Sequence, residues 1–187
     1  ELLFHDARRS HLAWMSCQSC HPDGHTTGAL NDNFSDGSFG TPKRILSILG
    51  VRDTGPWAWS GTVTSLEDQA RNSFQSTMQG AKPSADEVRD VTAYLRTLPP
   101  PPAVSVARGK MDAAARERGE KLFERLNCVQ CHKPPVFTTP RTYDVGLGAA
   151  NETFSPPSLR GVSQGVSYFH DGRARTLGEV LSGVRHQ

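Results

Sequence analysis

Two short stretches decide how this chain is read: "MSCQSCHPDGH", Met15 to His25, and "CVQCH", Cys128 to His132. Each sets two cysteines two residues apart and follows them at once with a histidine. Together they use all four cysteines of the 187-residue chain. Three chemistries compete for such a pattern. Two CxxC pairs could supply an all-thiolate zinc tetrahedron. A CxxC could be a redox dithiol, but that motif wants a strand–helix context in a βαβ fold. The third is covalent haem attachment, in which each cysteine sulfur joins a haem vinyl group and the adjoining histidine falls under the iron. One motif is ambiguous. Two motifs that exhaust the cysteines, both with the histidine in place, favour haem. On this reading Cys17, Cys20, Cys128 and Cys131 hold two covalent haem c groups, His21 and His132 are proximal iron ligands, and no thiol is left for a disulfide.

Composition agrees with a chain that borrows its core from a cofactor. Only 36% of residues are hydrophobic, and 17 glycines and 13 prolines imply long loops. Small domains bury a limited share of their surface and often lean on a bound group. The formal charge of +2 gives no electrostatic footprint for nucleic acid. No apolar run approaches the roughly 20 residues of a membrane span, and no signal peptide is visible.

The two motifs lie 111 residues apart, and at that offset the chain matches itself. Gly50-Val51 falls on Gly161-Val162, Trp57 on Tyr168, Trp59 on His170, Gly61 on Gly172, Ser65 on Thr176 and Leu66 on Leu177. This reads as an internal duplication. The expected fold is mostly α and loop-rich, with two tandem class-I-like cytochrome c domains. Residues 1–98 form the first, 99–112 a Pro-rich linker and 113–187 the second, whose last helix is expected beyond the sequence. In "PSADEVRDVTAYLRTLPPPP", Ser84 and Glu87 form a capping box, Val88, Val91, Leu95 and Leu98 an apolar stripe, and Pro99 a stop. "DAAARERGEKLFERLNC" predicts a second helix with Leu122, Phe123 and Leu126 on its buried side.

A sixth iron ligand decides between electron transfer and ligand chemistry. Met78, just before the helix at Ser84, is the candidate for the first haem, with His25 its rival. Met15 is badly placed to cross the ring, and Met111 lies in the linker. For the second haem, the repeat partner of Met78 would be position 189, so His186 is the last candidate within the chain. His170 reads as a loop-holding residue.

"LLFHDARRS…SCQSCH", "WSG…SLEDQA" and "PPSLRGVSQGVSYFHDGRARTLGEVL" resemble the bacterial dihaem cytochrome c peroxidase superfamily, MauG-type proteins included. The resemblance implies an electron-transfer haem feeding a peroxidatic one, and a periplasmic location. It places Trp59 at the domain junction as a possible interhaem electron path and matches Gln69 to a family glutamine. It also implies a distal histidine and an acid–base glutamate in the first domain. Here "NDNFSDGSFGTPKR" holds no histidine, and Thr77 stands nearest the glutamate. The expectation is therefore a dihaem electron carrier, with a peroxidase or MauG-type oxidase holding one open haem as the alternative. A ligand sensor is a third possibility. Haem attachment of this type follows export, so the location expected is periplasmic, extracellular or at the cell surface. The partners expected are redox proteins and further domains of a longer polypeptide.

Overall fold

The best-specified element is the helix α4, Ala85–Thr97. Its N-terminus is closed by the expected capping box: Ser84 Oγ accepts from the Glu87 N–H at 3.2 Å, and a Glu87 carboxylate oxygen accepts from the Ser84 N–H at 2.8 Å. Its buried side carries Val88, Val91 and Thr92. It ends at Leu98, directly before the prolines. Replacing Ser84 with alanine is expected to cost about 1 kcal/mol. The check is a lower denaturant midpoint at unchanged slope.

The structure is a computed structural model that describes residues 1–32, 39–149 and 152–182. It is mostly helical, with long loops. Helix α1 (Leu2–His5) leads into α2 (Cys17–Cys20), which carries the first motif. Helix α3 (Leu66–Asn72) runs into a wide π-type turn, Ser73–Thr77, and then α4. After the linker come the short α5 (Val104–Ala107), α6 (Ala113–Arg125) and α7 (Leu177–Ser182). The only sheet among the described residues is a two-residue antiparallel pair, β1 (Leu30–Asn31) with β2 (Lys43–Arg44).

The first half owns a core. Phe4, Leu66, Ala70, Phe74, Met78, Val88 and Val91 are buried together where α1, α3 and α4 meet. Glu67 on α3 ties to Arg96 on α4 at 2.7 Å, and Phe4 lies against Tyr94 with ring centroids 5.4 Å apart. Helix α6 differs from expectation. It forms where predicted, but none of its residues is buried, and Leu122 and Leu126 are 42% and 67% exposed. The physical reason is the absence of a covering helix: α1 is packed against α4, and no described element does the same for α6.

Several local geometries recur at the 111-residue offset. Gly50 and Gly161 both adopt positive φ, 72° and 70°, before short 3-10 turns at Val51–Asp53 and Val162–Gln164. Trp57 pairs with Val63 as Tyr168 pairs with Ala174. The Trp57 indole N–H donates to Val51 O, and the Tyr168 hydroxyl donates to Val162 O. Ser65 Oγ accepts from the Asp68 N–H, as Thr176 Oγ1 does from the Glu179 N–H. The bonds between the halves are reciprocal. The Arg44 N–H donates to His170 O at 2.5 Å, and the Ser155 N–H donates to Trp59 O at 2.8 Å. At the offset, 44 maps to 155 and 59 to 170, so each bond is the image of the other. Linker prolines cross beside the two glycines: a Cβ on Gly50 would lie 3.0 Å from Pro100 Cα, and one on Gly161 2.2 Å from Pro101 Cγ. Only glycine fits at both places.

Candidate haem sites

Each CxxCH motif curls into a single turn that brings its histidine back under its first cysteine. The His21 N–H donates to Cys17 O, and the His132 N–H donates to Cys128 O, both at 2.9 Å. At each motif the ring is then oriented by the following loop. His21 Nδ1 is 3.2 Å from His25 O, and His132 Nδ1 is 3.2 Å from Phe137 O. A carbonyl only accepts, so Nδ1 carries the proton and Nε2 keeps the lone pair that iron requires. Burial pushes the His21 imidazolium below its ordinary range, against the pull of the His25 and Leu46 backbone, which favours the neutral ligand form.

The cysteines fit attachment better than their rivals. Burial pushes the Cys17 thiol up to about 11 and also raises Cys20 and Cys131. A redox dithiol needs the opposite shift. Among the described residues no three His, Cys, Asp or Glu side chains converge as a metal-binding group, so the four cysteines do not form the zinc tetrahedron. Arg160 Nε, buried without a partner, has the donor chemistry that a haem carboxylate takes. The residues present therefore fit two covalent haems.

The other predicted residues fall as follows. Met78 is 2% exposed, clustered with Ala70, Phe74 and Val91, with Leu3, Met15 and Cys17 packed against them. Its backbone is clamped: its N–H donates to Ser73 O and its carbonyl accepts from the His11 N–H. Gln69 lies on α3; its Oε1 is buried without a partner, and its Nε2 is 3.5 Å from Ser73 Oγ. Trp59 is 8% exposed at the junction, its indole N–H donating to Arg44 O at 2.7 Å. His170 meets the Trp59 ring edge-on at 6.3 Å and stacks on Phe154 at 4.2 Å. His186 lies outside the described residues, as does part of the loop in which a distal histidine was sought. Burial lowers the His170 imidazolium, with Asp171 pulling the other way.

Sequence reasoning missed Arg44. Its guanidinium lies over Trp59, 5.6 Å from the ring centroid, and its Nε donates to Phe169 O at 3.2 Å. The repeat held the signal: a charged residue stands at 44 where its mate, 155, is serine.

Comparisons with known proteins follow this geometry. The family model described as "Di-haem cytochrome c peroxidase" matches residues 1–99. A cytochrome c551 peroxidase of Nitrosomonas europaea is 23% identical, over 97% of this chain and 70% of its own. The methylamine utilization protein MauG of Methylophilus methylotrophus is 25% identical, over 96% of this chain and 69% of its own. A chain of Kuenenia stuttgartiensis hydrazine synthase superposes with a TM-score of 0.85 at 24% identity, covering 100% of this chain and 77% of that one. That last likeness concerns the fold.

Proposed function

The chain belongs to the di-haem cytochrome c peroxidase family, whose members carry two covalent c-type haems, and from that premise we propose a two-haem oxidoreductase of the peroxidase or MauG type. On this reading one haem, held by its CxxCH motif, would offer a site to a small oxidant, and the other would supply electrons. This places the peroxidase-type reading above the simple electron carrier expected from sequence. The observation that carries it is the match of the di-haem cytochrome c peroxidase family model to residues 1–99, with peroxidase and MauG relatives similar over nearly the whole chain. The contacts of Trp59, His170 and Phe154 at the junction suit two sites that exchange electrons.

When bound, the haems supply one-electron chemistry and, at an open iron, a place for a small oxidant. The chain's own residues do the rest. Cys17, Cys20, Cys128 and Cys131 fix position. His25 O and Phe137 O hold the protons on Nδ1 of His21 and His132. Trp59, buried at the junction and edge-on to His170, is the residue to which this reading assigns the electron path between the halves. Gln69, with its orphaned Oε1, offers a buried hydrogen-bond acceptor in the first half.

The matched turns, paired hydrogen bonds and reciprocal junction support duplication, with residues 1–98 and 113–187 as the two haem units and 99–112 between them. Thioether attachment after export supports a periplasmic, extracellular or surface location. Among the described residues no helix is long and apolar enough to cross a membrane. Redox proteins are the partners this reading requires.

A second reading, the electron conduit, keeps support from Met78, which belongs to the cluster packed on Cys17. With Met78 on the first iron and His186 or a later residue on the second, both irons would be filled. An electron paramagnetic resonance spectrum of the oxidised holoprotein separates the readings. The proposal expects one high-spin haem whose signal changes on adding peroxide. Two low-spin haems indifferent to peroxide would sink it in favour of the conduit.

A further inference from the structure

The junction is reciprocal in its backbone but not in its charge. Residue 44 and residue 155 occupy equivalent places, each donating its N–H across to the other half. One is arginine and the other serine. The Arg44 guanidinium is half-buried, stacked on Trp59, and makes one hydrogen bond, to a carbonyl. Burial draws its pKa below the ordinary range.

Among the described residues no carboxylate pairs with Arg44. The acids that face His170, whose carbonyl Arg44 meets across the junction, make bonds of their own. Asp171 is held by Arg173 at 2.6 Å, and a Glu152 oxygen accepts from the Ala149 N–H at 2.9 Å. A partly desolvated cation with most of its donors unused needs an anion. Arginine presents a planar fork that suits a carboxylate.

The chain places this fork near a haem. Arg44 stands next to Ile45, whose carbonyl accepts from Thr26 Oγ1 at 2.6 Å in the loop that follows His21. Its own carbonyl accepts from Trp59 and its N–H reaches His170. Haem brings two carboxylates of its own, the propionates, to a guanidinium that no carboxylate among the described residues engages. We propose that Arg44 holds a haem propionate at the junction and thereby sets the potential of one haem apart from that of the other. The inference rests on the two covalent haems and not on which reaction they serve.

The sign follows from electrostatics. A nearby fixed cation favours the ferrous state, which carries one positive charge fewer, and so raises the midpoint potential. Serine at 155 supplies no such charge to the other half. Arg44→Ser makes the two places alike and is the direct test, with Arg44→Lys as the variant that keeps the charge.

Both variants are prepared as holoprotein, two haems per chain are verified, and the potentials are resolved by spectroelectrochemistry with paramagnetic resonance assigning each haem. In Arg44→Ser the potential of one haem falls while the other stays, and in Arg44→Lys the fall is smaller. The haem that moves identifies the propionate's owner. If both potentials stay put, or both fall equally, the proposal is overturned. A free anion is the rival source. If added phosphate shifts the wild-type potential and leaves Arg44→Ser unmoved, the fork binds solvent anions instead, which also overturns it. Should Arg44→Ser fail to take up both haems, a full-sized fall in Arg44→Lys overturns the charge argument, and a smaller one supports it.

Discussion

Replacing Cys128 and Cys131 together by alanine is expected to remove one of the two haems and to unravel the second half, whereas the same change at Cys17 and Cys20 is expected to leave the first half folded. The asymmetry follows from where the cores lie. The first half buries Phe4, Leu66, Phe74, Met78, Val88 and Val91 among its own helices. The buried apolar residues of the second half, among those described, are Leu147, Phe154 and Ala174, and α6 buries none. A burial of about 25 cal/mol per Å² cannot hold a segment with so little apolar surface removed from water. Its structure depends on the macrocycle. The haem-to-protein ratio by pyridine haemochrome should drop from two to one in both double variants. Limited proteolysis should cut 113–182 rapidly only in the Cys128/Cys131 variant. Equal resistance in the two would mean that the second half has a core of its own.

The sequence announced its local elements because their causes are local. The Ser84–Glu87 box, the valine stripe and the proline stop lie within twenty residues, and α4 begins and ends where they say. The CxxCH turn is likewise set by five residues. The buried side of α6 was not legible, since periodicity marks an apolar face but not whether anything covers it. The junction was hidden for another reason. The offset aligns Trp59 with His170, yet equivalent positions in a repeat pattern say nothing about contact. The bonds from residues 44 and 155 join positions far apart in sequence, and no periodicity in the chain encodes them. Arg44 escaped notice for the same reason, since its Trp59 partner is fifteen residues away and its Phe169 partner 125.

Met78→Ala is expected to cost about 2–5 kcal/mol, the range for deleting a buried methionine with partial collapse of its site. The residue is 2% exposed and belongs to the cluster that joins α3 to α4. Met78→Leu keeps the volume and should cost under about 1.5 kcal/mol. The peroxidase-type reading with the first iron open assigns Met78 to packing, so neither variant should alter the spin state of the first haem, and the two should differ only in stability. A thioether ligand behaves otherwise. Leucine fills the space but has no lone pair, so a ligating Met78 would give a first haem that turns high-spin in both variants, with loss of the weak Met–iron band. The comparison separates shape from coordination because leucine supplies one and not the other. A first haem that is low-spin in the wild type and turns high-spin in Met78→Leu would return the chain to the electron-carrier reading, with its first iron filled by a side chain of the core.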